Sequence, residues 1–160
     1  MKQNATTPAL LAIAIALTSC AGHAPMPSAG IAIDHTVLAA SNAQGVDVAA
    51  YAGFDNRGGP DRLLGADCAC AAKVELHRVA SENGKMTMSD SFPLALPGGS
   101  RVEVKPPGIP LHLMLIGTTR PFAPGEKIAM RLRFERAGDV QAVFTVAANS
   151  RDGWAAWSPD

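Results

Sequence analysis

The feature that most restricts this chain is a strict two-residue alternation in KIAMRLRFE, residues 127 to 135. Ile128, Met130, Leu132 and Phe134 point one way, while Lys127, Arg131, Arg133 and Glu135 point the other, as in a strand with one face buried. Met130 therefore belongs to a core. The same period appears in RVEVK (101 to 105), VQAVFTV (140 to 146) and VDVAAYAGF (46 to 54), and no stretch from Ile31 onward sustains a 3.6-residue apolar period. Turn signals separate these runs: NRGGPD at 56 to 61, ENG at 82 to 84, PGG at 97 to 99, PPG at 106 to 108 and AGD at 137 to 139. The spacing predicts an all-β fold of eight or nine strands, a Greek-key β-sandwich burying alternate faces between two sheets. It shows no internal repeat and no second domain.

The chain has 160 residues, with 14 Lys plus Arg against 14 Asp plus Glu. Such a balance lacks the cationic surplus that draws proteins to nucleic acid. The N-terminus, MKQNATTPALLAIAIALTSC, runs from Lys2 through an apolar stretch to small residues, the pattern of an export signal over residues 1–19. Its apolar part is shorter than the roughly 20 residues needed to cross a bilayer. Leu17-Thr18-Ser19-Cys20 resembles the lipobox of bacterial lipoproteins, which makes Cys20 the expected lipidation site. An ordinary secreted protein with an incidental Cys20 is the alternative. Residues 20–33, small and Pro-rich, read as a lipidated cysteine and a flexible tether, with a reach of about 20 Å. The sandwich is expected over 34–148 and a tail over 149–160. The protein is then periplasmic and held on the membrane by its lipid.

In LHLMLIG, residues 111 to 117, the leucines at 111, 113 and 115 share one face, and His112, Met114 and Ile116 share the other. His112 and Met114 would stand about 5.5 to 7 Å apart at Cβ, close enough to reach one metal ion. A methionine in a strand is also a common filler of core gaps. A second segment, KVELHRVASENGKMTM at 73 to 88, puts Val74 and Leu76 on one side and Lys73, Glu75 and His77 on the other. His77 is expected at the end of that strand and accessible. After the turn, Met86 and Met88 share a face of the return strand, which can carry a methionine back towards His77. Neutral imidazole and thioether donors suit copper(I), whereas zinc generally takes thiolates, imidazoles and carboxylates. They form no disulfides in an oxidising compartment and lose no acidic proton on binding.

This arrangement resembles the periplasmic copper chaperone family called PCuAC. Ten residues separate His77 from Met88, and His112-Leu113-Met114 closes the motif after twenty-three more. The family's second gap is roughly twenty-one, so the added length falls in the loops on either side of Arg101 to Lys105. AAYAGFDNRGGPDRLLGAD, VELH, GIPLHLMLIG and PGEKIAMRLRFERAGDV also look like the family's framework, and the likeness spans about Val46 to Val146. The resemblance implies a cupredoxin-like sandwich that binds one copper(I) through His77, Met88, His112 and Met114. Met86 is a possible replacement for Met88. It further implies delivery of copper to the copper-centre subunits of cytochrome c oxidase or to their assembly factors.

Cys68-Ala69-Cys70 departs from the family pattern. On a strand these two cysteines would share a face near the upper limit for a disulfide, about 7 Å between Cα atoms. A strained redox-active disulfide, an auxiliary copper site and a pair of structural thiols are the three readings, and an even count once Cys20 is acylated favours the oxidised pair. His23, Met26 and His35 flank the tether as copper donors or as unstructured polar residues. Trp154 and Trp157 are expected to pin the tail on the sandwich by burying their rings. No nucleophile, base and orienting group assemble from these motifs, so the chain is not expected to be an enzyme. The rival functions are a thiol redox protein using Cys68 and Cys70, and a structural or adhesive sandwich.

Overall fold

In the computed structural model the described residues are 30–82, 85–107 and 110–158. The expected signal peptide, Cys20, His23 and Met26 lie outside them. Ten strands are present among the described residues: β1 Ile31–Ala39, β2 Val48–Asn56, β3 Asp61–Asp67, β4 Ala71–Glu82, β5 Lys85–Asp90, β6 Leu94–Leu96, β7 Ser100–Val104, β8 Leu111–Thr118, β9 Lys127–Phe134 and β10 Gly138–Ala147. One short helix, α1, follows at Ser150–Ala155. No described helix is long and apolar enough to cross a membrane.

The strands follow one path, β5-β4-β8-β2-β1-β10-β9-β3-β6, with β7 on β2. A further pairing of β3 with β4, at Ala66↔Val74, joins the two sides into a closed barrel. The all-β class read from the alternation is the class observed, and the two sheets of the expected sandwich are continuous. Closure covers part of the edge that an open pair of sheets would leave, and β5 and β6 remain at the ends of the path. β9 alternates between exposed and buried along its whole length, so its apolar face fills the interior. Leu76, Leu113, Leu115, Met130, Leu132, Phe54 and Phe144 are fully buried there.

One boundary differs from the sequence reading. The fold starts at Ile31, inside the stretch assigned to the tether, because Ile31 is a core residue and β1 pairs with β2 from Ile31↔Asn56 onward. Composition hides this, since a small-residue run looks alike as a tether and as the start of a strand. The expected tail carries α1, with Asn149 as its N-cap accepting N–H bonds from Arg151 and Asp152.

Asp61 ties the start of β3 to the β9–β10 turn. Its carboxylate accepts the N–H groups of Arg62, Arg136 and Ala137 at 2.7, 2.9 and 2.9 Å. Burial alone would raise this carboxyl, but the three N–H donors and the Arg136 charge together hold it below its ordinary value.

Two predictions follow from the packing. Leu113→Ala should cost about 2 to 5 kcal/mol, read as a lower denaturant midpoint at unchanged slope. A loss well under 1 kcal/mol would mean that Leu113 does not sit in the core. Because the Asp61 carboxyl is lowered on folding, its contribution should be complete above about pH 4 and fade as the pH falls through the lower folded-state value. An Asp61→Asn variant should therefore show a shallower acid loss of stability than the parent chain in pH-dependent melting.

Candidate metal site

Pairing of β4 with β8 builds the site. The register runs from Ala71↔Thr118 through Glu75↔Met114 and His77↔His112 to Arg78↔Leu111. Val74 and Leu76 oppose Leu115 and Leu113 on the inner face, so Glu75, His77, His112 and Met114 share the outer one. The two imidazoles lie edge to face with centroids 5.4 Å apart. On the other side of β4, β5 pairs His77 with Asp90 and Val79 with Met88. Met88 and Met114 are thus both diagonal neighbours of His77, one from each flanking strand, within reach of long side chains.

His77 does not lie at a strand end. β4 continues to Glu82, and with strands on both sides only 16% of the His77 side chain is exposed. His112 is buried. Met86 and Met88 stand exposed on β5, and Met86 pairs with Ser81, one step further from the imidazoles. Two nearly enclosed nitrogen donors thus sit beside an accessible thioether. Among the described residues no three His, Cys, Asp or Glu side chains are placed to hold a metal ion. A site on this face therefore needs thioether donors.

Glu75 received no role from the sequence, although the alternation that marks His77 also places it on the same face. Its Oε2 accepts a hydrogen bond from His77 Nε2 at 2.7 Å, and its Oε1 accepts one from Lys73. Lys73 first and then His77 hold the Glu75 carboxyl below its ordinary value, against the opposing effect of desolvation. The other nitrogen of His77, Nδ1, is buried and has no hydrogen-bond partner. Asp90 Oδ1 accepts the N–H groups of Leu76 and Phe92, each at 3.3 Å, and fixes the end of β5 against β4.

The remaining candidates lie elsewhere. Cys68 and Cys70 occupy the turn between β3 and β4, where the chain is bent and not extended. Their Cα atoms are 5.0 Å apart and a disulfide joins them. The reading of a shared strand face is corrected: β3 ends at Asp67, and Thr119 N–H bonds to the Cys70 carbonyl at 2.8 Å. The turn lies at the start of β4, with Cys70 seven positions before His77 and so roughly 20 Å or more from it along the chain.

His35 is neither tether nor part of the site. It sits in β1 at φ 48°, in an irregular step of the β1–β2 register between Asp34 and Val37. Its ring packs against Trp154 and Trp157, both at 4.8 Å between centroids. Asp34 accepts from His35 Nδ1 at 2.9 Å and from both Arg101 terminal nitrogens at 2.7 and 2.8 Å. Gly53 lies beneath this group, where a Cβ would collide with the Asp34 carboxylate. The tryptophans do pin the tail, through a stack on His35, and both rings stay half-buried.

Fold and site together define a cupredoxin-like β-barrel with imidazole and thioether groups gathered on one outer face. Residues 31–146 match the family described as "Putative lipoprotein LpqE-like". The "Putative lipoprotein Lxx21020" of Leifsonia xyli subsp. xyli is 32% identical over 140 residues, covering 82% of this chain and 81% of that one. The chain belongs to the LpqE-like family. Among solved structures, the copper-bound PCuAC domain from PmoF2 superposes with a TM-score of 0.63 at 27% identity, covering 78% of this chain and 97% of that one. Apo-DR1885 from Deinococcus radiodurans shares the fold, with a TM-score of 0.61 at 23% identity over 93% of this chain and 99% of its own.

His35→Ala should red-shift the tryptophan emission and lower the unfolding midpoint, the stack being worth about 0.5 to 1.5 kcal/mol. Identical emission spectra for the two proteins would show that the rings do not meet in solution.

Proposed function

We propose that this protein is an exported copper(I) carrier that holds one ion on the outer face of β4, β5 and β8 and gives it up by ligand exchange. The observation that carries this reading is the register: His77 directly opposite His112, with Met88 and Met114 diagonal to His77 from either side. The donor set fits the ion. Two imidazole nitrogens and two thioether sulfurs are neutral and soft to borderline, as a monovalent copper ion prefers. An exposed Met88 beside enclosed imidazoles also suits transfer, since an incoming ligand can replace the thioether while the nitrogens keep their hold. The likeness to the copper-bound PmoF2 domain supports the same cargo.

On this reading the protein does no covalent chemistry. Cys20 carries the lipid, in keeping with a family described as lipoproteins, and the residues before Ile31 let the barrel reach membrane-bound acceptors on the periplasmic side. The copper-centre subunits of cytochrome c oxidase, or the factors that assemble them, are the proposed recipients.

Competition against a chromogenic copper(I) chelator tests the reading. The full chain should take up one equivalent, and His112→Ala combined with Met114→Leu should abolish uptake while the β-rich circular dichroism spectrum persists. Undiminished uptake in that variant would place the ligands elsewhere, with Cys68 and Cys70 the first to examine. Conversely, Cys68→Ser with Cys70→Ser should leave the stoichiometry at one.

A further inference from the structure

The Glu75–His77 contact carries an inference about how the ion is held, and it rests on the copper reading above. Glu75 is an ionised carboxylate, paired on its other oxygen with Lys73, so it can only accept hydrogen bonds. The hydrogen in the 2.7 Å contact must therefore reside on His77 Nε2. A neutral imidazole with that hydrogen carries its lone pair on Nδ1. This is the nitrogen that is buried and unpartnered. Leaving a buried polar atom unsatisfied is unfavourable unless something else engages it.

We propose that Glu75 is the positioning residue of the site: it fixes His77 in the Nε2–H tautomer and so dedicates Nδ1 to copper(I). The carboxylate does not bind the ion itself, since a hard anionic oxygen is a poor donor for monovalent copper. It acts through the ring, as carboxylates behind metal-binding histidines do, by selecting the tautomer and the ring orientation and by raising the basicity of the ligating nitrogen. Three features of the fold hold it there. Alternation along β4 puts Glu75 on the same face as His77, Lys73 engages its free oxygen, and the β4–β8 register sets it opposite Met114. Glu75 thereby neighbours His77 on its own strand and faces a proposed sulfur ligand across the pair.

Nitrogen-15 NMR of the full chain without metal reads the tautomer directly from the two ring-nitrogen shifts of His77. The expected result is a protonated Nε2 and a bare Nδ1, with the Nδ1 resonance moving when copper(I) is added. Glu75→Gln keeps an accepting oxygen and should retain both the tautomer and copper(I) affinity to within a few-fold. Glu75→Leu should give a mixture of tautomers and lose about 10- to 100-fold in affinity against the chelator.

Lys73→Ala removes one partner that holds Glu75 without touching the ring and should lower copper(I) affinity by less than Glu75→Leu does. A bare Nε2 in the parent chain would overturn the proposal even if Glu75→Leu failed to fold. Parent-like affinity and tautomer in a folded Glu75→Leu would also overturn it, and would leave the copper reading standing. A parent chain that binds no copper(I) at all would remove both.

Discussion

Antiparallel pairing of β4 with β8 fixes what each face of this part of the barrel carries. Leu76 opposite Leu113 and Val74 opposite Leu115 fill the interior, and that same register sets His77 opposite His112 outside. The two outcomes are inseparable because a slip of one residue would exchange every side chain between faces. Burial of four apolar side chains thus enforces the meeting of two imidazoles, and the site inherits its geometry from the core. The closing β3–β4 pairing holds β4 from its other side near Val74.

β5 enters on different terms. It pairs only with β4 and lies at the end of the strand path, and its residues are largely exposed. Its placement rests on the hairpin with β4 and on Asp90, whose carboxylate accepts N–H bonds from both sides of the junction. The methionines it carries, Met86 and Met88, therefore sit on the least embedded strand of this face. An enclosed imidazole pair beside an exposed thioether on an outlying strand suits the proposed carrier, which must hold an ion without enclosing it.

A second part of the barrel surface is organised by aromatic and ionic contacts. His35, bent out of β1, receives Trp154 and Trp157 from the end of the chain, while the Asp34–Arg101 pair binds β1 to β7 across Gly53. Residues distant in sequence close over the outside of the barrel here. The Cys68–Cys70 disulfide fastens the β3–β4 turn in the same way, away from the imidazoles.

Local alternation made much of this legible. KIAMRLRFE announces its buried face, and LHLMLIG and KVELH announce which side chains leave the core, because the two-residue period of a strand is a property of the backbone itself. The bend at Cys68-Ala69-Cys70 and the early start of β1 were not legible, since small residues fit an extended or a turned chain equally well. Nor was the use of Glu75, which needs the position of one ring nitrogen. The amino-acid sequence by itself determined the all-β class and the sidedness of its His and Met residues. Only the tertiary structure decided which of them are neighbours, and which nitrogen of His77 lacks a hydrogen-bond partner, because strand pairing is a non-local choice made by the whole core at once.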